Sequence, residues 1–169
     1  MSEAQLGEEQ SFKFPVSVVV ECQTLKDSRW ESTRWEVVGV VSAEEFTEAE
    51  PQVKRIHGGD GAEQYLWSGF SVELFKDDAE SYYFNLRGDE PKVFVICRRD
   101  EDDQLEPFLV TLSYDEASSY MEVEDDVYSV PIPPEIYQGA ESYVINNYVP
   151  SPLKKRKRSK WYKGARGDE

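Results

Sequence analysis

Residues Phe12–Gln23, FKFPVSVVVECQ, decide how the rest of the chain is read. Phe12, Phe14, Val16, Val18, Val20 and Cys22 share one parity, while Lys13, Ser17, Glu21 and Gln23 share the other. A period of two is the pleat of a β-strand, with one face on a core and the other largely toward water. Lys26-Asp27-Ser28 makes a turn into a second strand, Trp30–Val41, where Trp35, Val37 and Val41 alternate with Arg34 and Glu36. Further on, Gln64–Phe75 sets Leu66, Phe70, Val72 and Leu74 on one parity and Tyr65 and Trp67 on the other. After the turn Lys76-Asp77-Asp78, the residues Tyr82, Phe84 and Leu86 start a returning strand, so the pair reads as a hairpin.

Arg87–Pro91 is another turn, and Lys92–Arg99 (KVFVICRR) is apolar on both faces, as a covered central strand is. Phe108–Ser113 and Val127–Ile132 complete about seven strands. Ser42 with Glu45, and Ser113 with Glu116, have the spacing of a capping box. Each predicts a short helix, the first running on toward Pro51 and the second through Met121. His57–Gly61 (HGGDG) reads as loop. Pro133-Pro134 suits a helix start, and Ile136, Ala140, Tyr143, Val144 and Asn147 then recur at helical spacing until Val149-Pro150.

Short connections favour antiparallel pairing, and an amphipathic helix lays its stripe on an open sheet face or end. The expected fold is mainly β (α+β): an antiparallel roll or barrel capped by the C-terminal helix, with a two-sheet sandwich as the alternative. Residues 12–149 form one β-rich domain in this reading, between a disordered acidic N-terminus (1–11) and a basic tail (150–169).

At 169 residues, the chain is long enough to bury a core without disulfides or metal, and an aromatic share of 13% argues against global disorder. No run approaches the roughly 18 apolar residues of a membrane helix. The polar, acidic start lacks the features of a secretory signal, and two cysteines make no disulfide framework, so a cytoplasmic location is expected.

Charge is unevenly spread. Eight Lys and Arg against Asp168 and Glu169 give residues 153–169 a net +6, so the chain's −15 leaves −21 on the first 152 residues. Such a body repels nucleic acid and anionic membranes, while the tail attracts both.

The chemistry of known sites is sparse. His57 is the one histidine, beside two glycines and without a motif-bearing partner for nucleophilic catalysis. His57, Cys22 and Cys97 cannot make the four-ligand set of a zinc site. HGGDG is not a phosphate loop, and neither Asp100–Asp103 nor Glu122–Asp126 has the calcium-loop pattern. No catalytic, cofactor-binding or metal residue is assigned, and the chain is expected not to be an enzyme. A site built from unrecognised carboxylates or tyrosines stays open as an alternative.

The tail carries the strongest charge signal. Lys154, Lys155, Arg156, Lys157, Arg158 and Lys160 with Trp161 are the expected partner-binding residues, an aromatic anchor among cations. As a nucleic-acid hook, five phosphate contacts give a log–log salt slope of roughly −4.5. The tail also reaches roughly 55 Å when extended, so the acidic body competes for it at high effective concentration. That competition favours a protein partner over nucleic acid, and leaves binding in cis or in trans open.

Several stretches together resemble a known family. They are Phe14–Val19, Arg29-Trp30-Glu31-Ser32 with Arg34–Val40, Ser113–Ala117, Val130–Glu135, and Val149-Pro150 leading into Lys154–Arg158. From about Phe12 to Arg158 the chain resembles an uncharacterised proteobacterial family of unknown function. Its genes tend to lie beside those for molybdenum-dependent formate dehydrogenase and its maturation factors. Tyr143 stands where that family usually has a tryptophan. The resemblance implies a bacterial source and no catalytic residue. With the tail, it leads to the expectation of a non-catalytic accessory protein whose partner is a redox enzyme or maturation factor, with a nucleic-acid-binding regulator as the alternative.

Overall fold

The computed structural model describes residues 12–27, 29–46, 50–59 and 61–150. Among them run β1 (Phe12–Asp27), β2 (Trp30–Ser42), β3 (Gln52–Gly59), β4 (Ala62–Leu74), α1 (Ala79–Arg87), β5 (Lys92–Arg99), β6 (Leu105–Thr111), α2 (Tyr114–Glu122), β7 (Asp126–Pro131) and α3 (Pro134–Asn147). The seven strands make two antiparallel sheets, ordered β2-β1-β4-β3 and β6-β5-β7, and neither closes into a barrel. The molecule is therefore mainly β with a helix near the C-terminal end, in a two-sheet form.

The opening stretch is the spine of the larger sheet. Val16, Val18 and Val20 are fully buried, as the alternation requires, while Phe12 at the strand's start is exposed. Two bulges reset the parity of its neighbours. Val19 pairs with Gly39 and Val20 with Val37, so Val38 is an extra residue, and Val40 rather than Val41 turns inward. On β4 the register slips opposite Ser17, where Gly69 takes a φ of 97° that a side chain would resist. Past that slip Trp67 packs on the core, not Leu66.

Three further expectations need correction. Tyr82, Phe84 and Leu86 belong to α1, not to a returning strand: Ala79, Tyr82 and Leu86 are buried at helical spacing and Phe84 is exposed. Tyr82 and Leu86 satisfy both periods, and only burial separates them. The segment before Pro51 forms no helix among its described residues, because Ser42 stays in β2. His57, Gly58 and Gly59 lie in β3 rather than a loop. That strand is exposed along its whole length, so it carries no apolar face to be read.

The expectations for the strand at 92–99 and for the helices after Ser113 and Pro133 hold. β5 is the centre of its sheet and buried from Val93 to Cys97. Ser113 caps α2, its hydroxyl accepting from the Glu116 N–H at 3.1 Å. In α3, Pro134 opens the helix and Ile136, Ala140, Tyr143 and Val144 are buried. Gly139 lets α3 come close to Phe14, since a Cβ there would run into that ring. One core joins the inner faces of both sheets to α1 and α3.

Candidate functional site

Asn85 locks α1 onto the smaller sheet. Its amide nitrogen donates to the carbonyls of Lys92 at 2.7 Å and Leu112 at 2.9 Å, and its oxygen accepts from the Lys92 N–H at 3.0 Å. The hydroxyls of Ser113 and Ser81 meet at 3.0 Å and tie the start of α2 to α1. These ties hold a cavity of about 620 Å³ open between α1, the Gly88–Glu90 turn and the first residues of α2. Its wall carries four carboxylates, from Glu80, Asp89, Glu90 and Asp115, and two well-exposed rings, Phe84 and Tyr114. The Phe94 ring, edge-on to Tyr114 with centroids 5.9 Å apart, also lines it.

Charge in this region is unbalanced. Among the described residues Glu80, Asp89 and Asp115 have no ion-pair partner, and Glu90 meets Lys92 at 3.3 Å. Beside the cavity, burial first and then the neighbouring carboxylates Asp77 and Asp115 raise the acid group of Asp78. Burial, and then Asp78, does the same to Glu116. The arrangement is suited to taking up a cation carried on an apolar or aromatic segment.

The acidic stretches singled out in the sequence are organised differently. In the β5–β6 turn, Asp100 Oδ1 accepts from the N–H groups of Asp102 and Gln104, closing the loop on itself. Asp125 and Asp126 pair with Arg98 at 3.4 Å and Arg99 at 3.2 Å. The Arg98 guanidinium also lies 4.0 Å over the Phe108 ring. On the larger sheet, Glu21 accepts from Gln64 at 2.9 Å and Gln23 at 2.5 Å, which holds its carboxyl below the usual range.

His57 is exposed on β3. Cys97 is fully buried and its thiol is pushed up to about 12 by loss of water; Cys22 is half-buried and also raised. No group of three or more His, Cys, Asp or Glu among the described residues could hold a metal ion. No described helix is long and apolar enough to cross a membrane. The expected partner-binding residues Lys154, Lys155, Arg156, Lys157, Arg158, Lys160 and Trp161 lie outside the described residues.

The acid-and-aromatic cavity escaped the sequence reading because its members come from three places in the chain, residues 80–90, Phe94 and residues 114–115, the first of them assigned in part to a strand. Fold and cavity define a two-sheet α+β body with an electronegative recess between two helices. The chain belongs to the family described as "Protein of unknown function (DUF3305)", whose model matches residues 15–157. No curated protein and no solved structure matches it.

Proposed function

We propose that this protein is a non-catalytic accessory factor that binds a protein partner through its basic tail. The assignment is to assembly or maturation of a molybdenum-dependent formate dehydrogenase in the cytoplasm of a proteobacterium. One observation carries it: Lys154–Arg158 with Lys160 and Trp161 forms a cationic arm with an aromatic anchor, following a body of net charge −21. Charge depletion at the core of protein interfaces makes the aromatic the main source of affinity, while the cations steer the encounter. The family match over residues 15–157 reaches Lys157 and so takes in the start of this arm. The link to formate dehydrogenase comes from the sequence resemblance.

The test is affinity purification of the full chain from its native host, paired with a chain in which the six tail cations are changed to Gln. Formate dehydrogenase subunits or maturation factors should come with the first and be lost from the second. A deletion strain should lose formate-dependent dye reduction and regain it from the unaltered gene only. Equal capture by both chains removes the tail's role, and normal formate oxidation in the deletion strain removes the assignment.

A further inference from the structure

We infer that the recess lined by Glu80, Phe84, Asp89, Glu90, Tyr114 and Asp115 is a docking site for the chain's own basic segment, residues 154–162. The inference rests on reading the tail as the partner-binding arm, and makes that arm self-masked until a partner displaces it.

Charge complementarity is the first argument. The acids at the β5–β7 end are matched by Arg98 and Arg99, whereas the recess presents Glu80, Asp89 and Asp115 without a described cationic partner. Glu80 and Asp115 stand in the first turns of α1 and α2, where the helix dipole favours negative charge. Asp89 and Glu90 do not have that support. They follow Gly88 at the C-terminal end of α1, where the dipole opposes them and a cation is favoured. The nearby Asp78 and Glu116 carboxyls are raised by burial first, and neighbouring carboxylates add to it, Asp77 and Asp115 for Asp78 and Asp78 for Glu116.

Chemical match is the second. Phe84 and Tyr114 are 61% and 55% exposed, so their ring faces are open to a guanidinium, an ammonium or another ring. Residues 154–162, KKRKRSKWY, offer six cations and two aromatics within nine positions.

Reach is the third. At the end of α3 the Tyr148 ring stacks on Tyr83 of α1 at 4.7 Å, and Tyr83 meets Phe84 at 5.4 Å. Tyr148 also lies close enough to Glu80 for that carboxylate to raise its hydroxyl, after the larger effect of burial. The described chain thus ends at Pro150 beside the helix that forms one wall of the recess. Lys154 is four positions beyond Pro150, roughly 13 Å when extended, and Tyr162 is twelve positions beyond it, up to about 40 Å. A tether that short holds the cations at roughly millimolar effective concentration, which makes weak contacts sufficient. A second groove along α1, lined by Tyr83, Tyr137 and Ile145, has Glu141 as its one acid and Arg87 beside it, so it fits a cationic segment less well.

A carbodiimide, which joins a carboxylate directly to a lysine amine, tests this on the full-length chain, using a mixture of isotopically light and heavy protein. Lys154–Lys163 should join Glu80, Asp89, Glu90 and Asp115 within one molecule. In a chain carrying Glu80→Gln, Asp89→Asn and Asp115→Asn, the remaining Glu90 cross-link should fall about tenfold, the sum of three modest surface contacts. Neutralising Asp100, Asp102 and Asp103 instead should leave it unchanged, with circular dichroism checking that each chain folds. Tail cross-links spread over acids elsewhere, or joining light to heavy molecules, overturn the proposal, the second result placing the tail on another copy. Partner capture should rise in the triple variant as the tail is released. Capture that needs the tail but is indifferent to these three acids overturns the docking site and leaves the accessory role standing. Intramolecular links to the recess with no tail-dependent capture do the reverse.

Discussion

At the scale of single residues, the side chains that matter most are polar groups that connect elements rather than chemical reagents. Asn85 replaces the backbone pairing that α1 cannot give to β5, satisfying both the N–H and the carbonyl of Lys92 and the carbonyl of Leu112. Asn85→Ala leaves these groups without partners in a half-buried setting and should cost about 2–3 kcal/mol, read as a drop in the urea midpoint at unchanged slope. Tyr82 plays a related part, its hydroxyl accepting from the Phe75 N–H at 3.1 Å at the start of the turn into α1. The two thiols are placed for packing. With Cys97 buried and its thiol pushed up to about 12, it should resist a thiol reagent at pH 8. Cys22 should react slowly, and denatured chain should release two equivalents at once; two fast equivalents from native protein would contradict this placement. In the sequence both cysteines already fall in strand patterns, Cys22 in an alternating stretch and Cys97 in a run apolar on both faces. Asn85 did not stand out, because a hydrogen-bonding role between segments leaves no periodic signature.

At the scale of elements, the outcome turned on where periodicity is unique. β1, β5, α2 and α3 were legible because each has an apolar pattern or cap that one geometry alone explains. Tyr82 and Leu86 are four apart and so fit a strand and a helix equally; the core contact of Ala79 and the exposure of Phe84 are what make α1. β3 was invisible for a different reason. It is an edge strand with every residue exposed, and Lys54, Arg55 and His57 along it are the kind of charge that discourages further pairing. Bulges at Val38 and around Gly69 each inverted a parity that looked continuous in the sequence. The turn into α1 also sets a pH dependence. The Asp78 carboxyl is raised from 3.8 and that of Glu116 from 4.5, so the folded state holds these protons to higher pH than the unfolded chain does. Stability from this pair is complete below those unfolded values and is lost as pH rises through the folded ones. Asp78→Asn should therefore stabilise the protein at pH 7, with the difference vanishing toward pH 3.8; urea unfolding at both pH values checks it, and a variant less stable at pH 7 would refute it.

At the scale of the molecule, net charge dominates. A chain at −15 repels itself, and salt screens that repulsion over a Debye length that falls from about 30 Å at 0.01 M to about 8 Å at 0.15 M. The melting temperature should rise over that range of sodium chloride; a fall would mean that attractive pairs such as Arg99–Asp126 outweigh the general repulsion. The same screening should loosen the tail from the recess, so partner exchange should speed up as the body stabilises. By itself the sequence determined the β-rich class, the antiparallel pairing, the late amphipathic helix and the opposition of tail and body. These depend on local periodicity, on connection length and on totals of charge, all of which are carried along the chain. Only the tertiary structure decided that the strands split into two open sheets, that residues 79–87 are helical, and that residues 80–90 and 114–115 meet around one recess. Sheet partition depends on bulges and on which faces share a core, and the recess depends on packing between segments distant in sequence, so neither has a period for the sequence to display.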